Sequence, residues 1–561
     1  MREFGVYSEV RPSEAPAESL AGARGIIISG GPSSVYEAGS PTVDPAIFET
    51  GSAALGICYG HQLMAYLLGG VVERGEKGEY GLAYLDVDKP DTLLEGVNGR
   101  QQVWMSHRDL VREPPAGFEV LGRTATCEVA AMGDAARRLY AVQFHPEVAH
   151  THPGRRILSN FLFDICGCSR DWDPSRRIPA VERQIRELTA GRKVFFFVSG
   201  GVDSTVAYTL CLAALGPERV HGAYVDTGLM REGETEIVRA NFEKLGATNF
   251  SVVDARAGFV SALECVVDPE QKREIIGGQF VAVQERILQS GHYTGSDWIL
   301  GQGTIYPDTI ESGGTTKSDK IKTHHNRVEG IQRLIEAGRI VEPLSAFYKD
   351  EVREIGRELG IVAEMLDRHP FPGPGLGIRC LCESEGSAIE ATADGYLLPV
   401  HSVGVQGDSR TYRPALALAS IPQDDLPTEL INRNRGINRV VGLAASHAPL
   451  GRMRGYAASI TEVRLTRLRR ADAIVRRICH ESGFEQKVWQ FPVVLIPVGI
   501  DGHEDSVVLR PVDSVDGMTA QAVLIDPPLL ASMSEELLAV EGVCAVFCDL
   551  THKPPATIEW E

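Results

Sequence analysis

Twice along this chain a short apolar run ends in a glycine-bearing turn that feeds a helical pattern: residues 53–57 before Cys58-Tyr59-Gly60, and residues 193–198 before Ser199-Gly200-Gly201-Val202-Asp203-Ser204. A strand that passes into a helix this way belongs to an α/β layer, where functional groups gather at the carboxyl ends of the strands. Runs at 25–29 and 140–144, ending in Gly30-Gly31-Pro32 and His145-Pro146-Glu147, extend the first layer. Residues 220–225, ending in Asp226-Thr227-Gly228, extend the second. The polar, proline-marked stretch 171–179 sets a boundary between the two layers, and the run Phe371-Pro372-Gly373-Pro374-Gly375-Leu376-Gly377 closes the second, since neither helix nor strand is expected to survive that composition. The expected domains are 1–172, 173–378 and 379–561, in keeping with a chain of 561 residues at roughly 150 per domain. The third region offers a charged helical segment at 465–482, a strand at 492–498 and a β-like end.

Charge excludes some partners. With 56 Lys and Arg against 75 Asp and Glu, the net charge of −19 opposes broad attraction to nucleic acid or anionic membrane, so any phosphate must be gripped locally. Arginines at 464–470 and 476–477 fall at helical spacing and read as a solvated face. No apolar run approaches the ~20 residues that cross a bilayer, and the first residues lack the apolar core of a signal peptide, so a cytoplasmic location is expected. Eleven cysteines, odd in number and thinly spread, read as reduced packing thiols rather than disulfides or metal ligands.

One of those thiols stands apart. Gly56-Ile57-Cys58-Tyr59-Gly60 has the form of the G-x-S-x-G nucleophile elbow with sulfur in place of oxygen. A thiol needs a base at neutral pH, and His145 at a later strand end, oriented by Glu147, completes a Cys58, His145, Glu147 set. Gly30-Gly31-Pro32 supplies an amide as a second oxyanion donor. Through residues 56–62 and Gln143-Phe144-His145-Pro146-Glu147, the chain resembles the class I (triad) glutamine amidotransferases. The resemblance implies hydrolysis of L-glutamine through a γ-glutamyl thioester with release of ammonia, and it puts Gly31, Tyr59, Gln62, Ser106 and Asp109 at the oxyanion and glutamine positions. Members of that family open with a strand and an Asp-Phe-Gly-Ser-Gln-Tyr loop ahead of the stretch that begins here at Met1. The expectation is a start upstream of Met1, the alternative being a gapped sheet that hydrolyses glutamine poorly.

The second glycine turn points to phosphate. Its amides and hydroxyls line an anion nest at a helix N-terminus, and without a terminal Lys it is not the Walker loop that cradles a transferring γ-phosphate. Asp203 is the candidate Mg²⁺ ligand. The hexapeptide resembles the pyrophosphate loop of N-type ATP pyrophosphatases, which implies ATP contacts from Ser199, Gly200, Gly201, Val202, Asp203, Ser204 and Thr205. Further stretches (224–231, 302–308, 321–326, 368–376, 403–408 and 553–561) carry a resemblance to the glutamine-hydrolysing GMP synthase family across all three regions.

That resemblance implies an α/β chain with a class I glutamine amidotransferase domain, an adenine-nucleotide α-hydrolase-like (ATP pyrophosphatase) domain and an α+β C-terminal dimerisation-type domain. It implies amination of XMP to GMP with AMP and pyrophosphate release, and Mg²⁺ accompanying ATP. Lys553 is expected to meet the XMP phosphate, with Arg231, Gln406, Gln490 and Glu559 completing the contacts and residues 372–377 forming part of the wall. The long segment between Asn438-Arg439-Val440-Val441 and Arg510-Pro511-Val512-Asp513 resembles the extended domain of animal-type members, which leaves both a homodimer and a monomer open. The expected partners are the small molecules XMP, ATP and L-glutamine, with no nucleic acid and no membrane.

Overall fold

In a computed structural model of the chain, residues 1–90, 92–148, 150–313, 329–366, 371–406, 409–422, 426–434, 436–514 and 519–561 are described. They form two compact units, Met1–Asp173 and Pro174–Glu561.

The first unit carries strands β1 (Gly25–Ile28), β2 (Ala53–Ile57), β3 (Val71–Val87), β4 (Arg100–Glu113), β5 (Glu119–Arg123), β6 (Ala131–Asp134) and β7 (Leu139–Val142), in the spatial order β1-β2-β7-β6-β5-β3-β4. β2 is buried at every position because both faces of the sheet are covered. The two-residue period of a strand sends Ala53, Leu55 and Ile57 into one apolar layer and Ala54 into the other. β1 and β7 flank β2 in parallel, and the sheet continues through antiparallel pairs to β4. β1 lies at the edge, half-buried, pairing with β2 alone among the described residues.

The second unit begins with the helix Ile178–Thr189 and a wholly parallel sheet of β8 (Lys193–Phe197), β9 (Val220–Asp226), β10 (Phe250–Asp254), β11 (Trp298–Gly301) and β12 (Ile340–Val341), ordered β10-β9-β8-β11-β12. A mixed sheet follows: β13 (Glu390–Ala391), β14 (Tyr396–Gln406), β15 (Ser409–Leu418) and β16 (Arg439–Ser446), then Val543–Asp549, Asp505–Leu509 and Val493–Ile496. One apolar cluster joins the two sheets, running from Phe195, Val225 and Leu229 through Leu376, Leu465 and Ile474 to Leu495 and Val546. Packing is therefore continuous across residue 378. The Gly/Pro run holds a single 3₁₀ turn, Gly375–Ile378, where only irregular backbone was expected. Gly375 sits at φ +62, where an added Cβ would run into the Leu229 carbonyl, and Leu376 N donates to that same oxygen (2.7 Å).

The arginine-rich segment corrects its sequence reading in part, for Arg470 and Arg477 keep 61 % and 46 % of their side chains exposed, as a solvated face does. It forms the helix Glu462–Ser482, but Arg464 is only 7 % exposed and bonds both oxygens of Asp505. Arg469 donates to the carbonyls of Gly228 and Met230, and Arg477 pairs with Glu481 and Glu536. Helical spacing alone cannot show that a polar face meets a second element. All eleven cysteines are free, and no described helix is long and apolar enough to cross a membrane.

Two fully buried arginines hold the final residues in place. Arg439 and Arg510 share Asp549 at 2.7 and 2.8 Å, and the Trp560 indole donates to the same carboxylate at 2.9 Å. Arg439 and Arg510 then reach the carbonyls of Thr557, Ile558 and Glu559. The charge of Asp549 compensates two guanidiniums in a water-free setting, and removing one partner of such a group leaves buried charge uncompensated. Asp549→Ala should lower the unfolding free energy of the second unit by about 3–5 kcal/mol, read from the shift of its urea transition. A loss below about 1 kcal/mol would show that the network is dispensable.

Candidate active sites

β2 leads straight into Cys58, whose backbone angles (φ 53, ψ −105) are ones that side-chain-bearing residues seldom adopt. The strain is held by Cys58 N donating to Val142 O at 2.9 Å and by entry into the helix Tyr59–Leu67. Glycines make the turn possible: a Cβ on Gly56 would strike the Gly60 carbonyl, and one on Gly60 would strike the Ile28 carbonyl. His145 follows β7, with Nδ1 at 2.7 Å from Glu147 Oε1. Its hydrogen bond with the Cys58 side chain, and secondarily that with Glu147, pushes His145 up to about 10 against partial burial. The imidazole therefore keeps its proton at neutral pH beside the sulfur, an acid already in place for a leaving group. A Cβ on Gly30 would lie 3.4 Å from His145 Cε1 and 3.6 Å from Cys58 Cβ, so the Gly30-Gly31 turn stands against this pair.

The remaining expected residues of this site divide. Gly31 lies against the Tyr59 ring, whose hydroxyl donates to Pro41 O. Ser106 is exposed, and its carbonyl is 3.7 Å from Cys58 Sγ. Gln62 is buried, and its amide nitrogen donates to Asp109 O (2.7 Å) and Gln143 Oε1 (3.2 Å), so that nitrogen braces β4 instead of facing open space. Asp109 is buried as well, its carbonyl shared with His107 Nδ1 at 2.9 Å. The other nitrogen of His107 meets Glu79 Oε2 at 3.0 Å, tying β4 to β3. Cys127 is close to this pair, its thiol pushed up to about 12, first by burial and then by the Glu79 charge.

Beyond β8, the second turn opens with Gly200 at φ +76 and leads into the helix Val202–Leu215. Ser199 Oγ accepts from Gly201 N (3.2 Å) and lies 3.0 Å from Ser204 Oγ, while Ser204 and Thr205 hydroxyls donate to Gly201 O at 3.1 and 2.8 Å. Val202 is buried at the first helical position. Gly303, from another strand end, has no room for a side chain because a Cβ there would lie 2.9 Å from Ser204 N. Asp203 Oδ2 pairs with Lys349 Nζ at 2.6 Å, whereas Oδ1 is buried without a hydrogen-bond partner among the described residues. An orphaned carboxylate oxygen beside an anion nest is a fit place for a hard divalent cation. Lys349 escaped the sequence reading; it lies 146 positions from Asp203 and carries no motif.

A third group converges in the second unit. Arg231 lies over the Phe371 ring at 4.5 Å and Arg379 over the same ring at 5.3 Å. Arg379 bonds both oxygens of Glu559 (2.9 and 2.7 Å), and Gln490 Nε2 donates to Glu559 Oε1 at 3.1 Å. Burial, above all, pulls Arg231 down to about 10, although Asp472 stands 3.5 Å away. Arg231, Gln490 and Glu559 are thus brought together, linked by Phe371 and Arg379, neither of which the sequence reading had singled out as a contact. The Glu559 carboxylate, expected to face a ligand, is already engaged by Arg379 and Gln490. Lys553 sits earlier on the same tail, its backbone bridged to Ala520. The Gln406 side chain and residues 321–326, 368–370 and 407–408 lie outside the described residues.

Comparison with known proteins gives this geometry its context. Residues 1–165 match the model of the class-I glutamine amidotransferases, 175–280 that of NAD synthase and 477–560 that of the GMP synthase C-terminal domain. A probable GMP synthase (glutamine-hydrolyzing) of Leptospira interrogans is 42% identical over 588 residues, covering 100% of this chain and 96% of the relative. GMP synthases (glutamine-hydrolyzing) of Geobacillus kaustophilus and Streptomyces coelicolor are 39% identical over 571 residues and 40% over 575, each covering 100% of this chain and 96% and 94% of the relatives. Identity at that level from end to end, over a chain that carries a thiol elbow with its histidine and an anion nest on a parallel sheet, leads to one conclusion: the chain belongs to the glutamine-hydrolysing GMP synthase family.

Proposed function

We propose that this chain converts XMP to GMP, hydrolysing L-glutamine for the nitrogen and splitting ATP to AMP and pyrophosphate. The observation that carries the reading is the pairing, in one chain, of a Cys58–His145–Glu147 set at a nucleophile elbow with a Ser199–Ser204 nest beneath a helix. The first can release ammonia and the second can hold a pyrophosphate. The same reading makes the chain a cytoplasmic monomer or homodimer with small-molecule substrates.

At the first site, the Cys58 sulfur attacks the glutamine carboxamide carbon. Amides following Cys58 and in the Gly30-Gly31 turn receive the oxygen as it gains charge, a contribution typically of 10²–10³ per donor. His145 gives its proton to the departing ammonia, then takes one from the water that opens the thioester. Glu147 holds the ring in the orientation that both transfers need.

At the second site, the loop amides and the Ser199 and Ser204 hydroxyls hold the β- and γ-phosphates of ATP, so that the XMP O2 oxygen can displace pyrophosphate from the α-phosphorus. Ammonia then adds at C2 and AMP leaves. Asp203 Oδ1 would hold Mg²⁺ brought with ATP, which supplies neutralisation of phosphate charge, and Lys349 adds a fixed cation at the same loop. Arg231, Gln490 and Glu559 orient XMP, with Lys553 on its phosphate.

The basic test is GMP formation from XMP and ATP with glutamine, compared with ammonium chloride. Cys58→Ala should cut the glutamine-dependent rate at least ~10³-fold while leaving the ammonium-dependent rate near wild type, whereas Asp203→Ala should depress both about 10²-fold or more. Equal loss of both activities in Cys58→Ala would overturn the two-site reading.

The pH dependence follows from His145. Its folded value lies above the ordinary 6.5, so the protonated ring is favoured, and the stability gained from it is full below 6.5 and lost as pH rises toward about 10. Glu147→Gln removes one cause of that rise. The alkaline limb of glutamine hydrolysis should move to lower pH by roughly one unit or more, and an unmoved limb would separate Glu147 from the proton transfer.

Lys553→Ala should raise KM for XMP about 10- to 100-fold with KM for ATP within twofold, the loss expected for one charge-assisted phosphate contact. An unchanged XMP dependence would remove Lys553 from the site.

A further inference from the structure

Lys272, in the first turn of the helix Pro269–Ser290, is completely buried. Its ammonium donates to both carboxylate oxygens of Glu561, at 2.9 and 2.7 Å, and to Cys380 O at 3.1 Å, which uses all three of its protons. Glu561 is itself only 3 % exposed, and its backbone oxygen accepts from Arg273. This contact joins residues 289 positions apart. The same helix also holds β15, since Glu270 accepts from Tyr412 Oη (2.7 Å) and Arg410 (2.9 Å).

The last three residues are pinned one by one. Glu561 goes to Lys272, Trp560 is buried with its indole on Asp549, and Glu559 points the other way, to Arg379 and Gln490. A short tail fixed at its end has no freedom to slide, and releasing Glu561 would free Glu559 to leave the group around Phe371. A buried lysine is costly to maintain without a counter-ion, so the pairing is an all-or-none fastening rather than a loose surface contact.

From this geometry we infer that Lys272 is a positioning residue for the XMP site: by clamping Glu561 onto the Pro269–Ser290 helix it sets the register in which Glu559 meets Arg379, Gln490 and the bound purine nucleotide. The inference rests on the proposed assignment of that group to XMP. It makes a helix of the ATP-handling half part of the nucleotide-acceptor site, and neither Lys272 nor Glu561 was among the residues expected there.

The experiment uses the full chain, ammonium chloride as nitrogen donor and three variants: Lys272→Met, the charge-free pair Lys272→Met with Glu561→Gln, and Glu559→Gln. The paired variant leaves no buried charge unmatched, so its melting temperature should return toward wild type even where Lys272→Met is unstable. In the paired variant KM for XMP should still be raised about tenfold, with KM for ATP within twofold and glutamine hydrolysis without XMP unchanged. A folded paired variant with wild-type KM for XMP overturns the proposal, as does an equal rise in both KM values. Should the paired variant fail to fold, Glu561→Gln alone, which keeps an acceptor oxygen for Lys272, is read by the same two KM values. Glu559→Gln separates the two levels of inference. If it leaves KM for XMP unchanged, the site assignment fails; if it raises KM while the Lys272 variants do not, only the positioning role fails.

Discussion

One buried carboxylate carries the second unit. Asp549 is the counter-ion for Arg439 and Arg510 and the acceptor for Trp560, all out of contact with water. Two guanidiniums side by side in a low-dielectric interior repel and are starved of solvation, and burial with the neighbouring Arg510 charge already pulls Arg439 down to about 9. Because those arginines also bond the carbonyls of residues 557–559, the Asp549 charge fixes the tail, and the tail fixes Glu559. From there the order passes through Arg379 and Phe371 to Arg231. A polar network deep in the unit thus sets the geometry of side chains that a substrate would touch.

The two glycine turns solve different problems with the same strand-to-helix plan. At Cys58, the nucleophile of the proposed mechanism, the chain accepts an unfavourable backbone conformation that holds the side chain out, and the glycines sit on either side of it. In the second turn, Gly200 itself takes the positive φ, leaving amides and hydroxyls to form a concave lining with no atom meant to react. Covalent chemistry needs one side chain held out, whereas phosphate binding needs the backbone laid open. That contrast is visible in which position is glycine.

Much of this was legible in the sequence because it is local. The elbow, the nest and the strands leading to them depend on residues within a few positions of one another, and β2 matches its expected bounds, 53–57. Lys349, Arg379 and Lys272 were invisible for the opposite reason: each acts on a partner 146 or more positions away, and no short-range pattern marks it. Arg464, Arg467 and Arg469 depart from the expected solvated face because periodicity reports an amphipathic helix and not what its polar face meets. The family resemblance gives Gln62 to the substrate, and packing adds what no motif shows, that its amide nitrogen also bonds Asp109 O and Gln143 Oε1.

The span between Lys272 and Glu561 also has a meaning in time. The first unit has its own apolar layers, drawn entirely from residues 1–173, and can close them as soon as that stretch has been made. The second cannot: its cluster runs from Phe195 to residues near 550, and the ammonium of Lys272 waits for a carboxylate 289 residues later. At ~5–20 residues per second, synthesis separates the two by about 15–60 s. Over that interval the Pro269–Ser290 helix carries a charge that is buried in the folded unit but lacks its partner, so this ion pair can close only once Glu561 has been made.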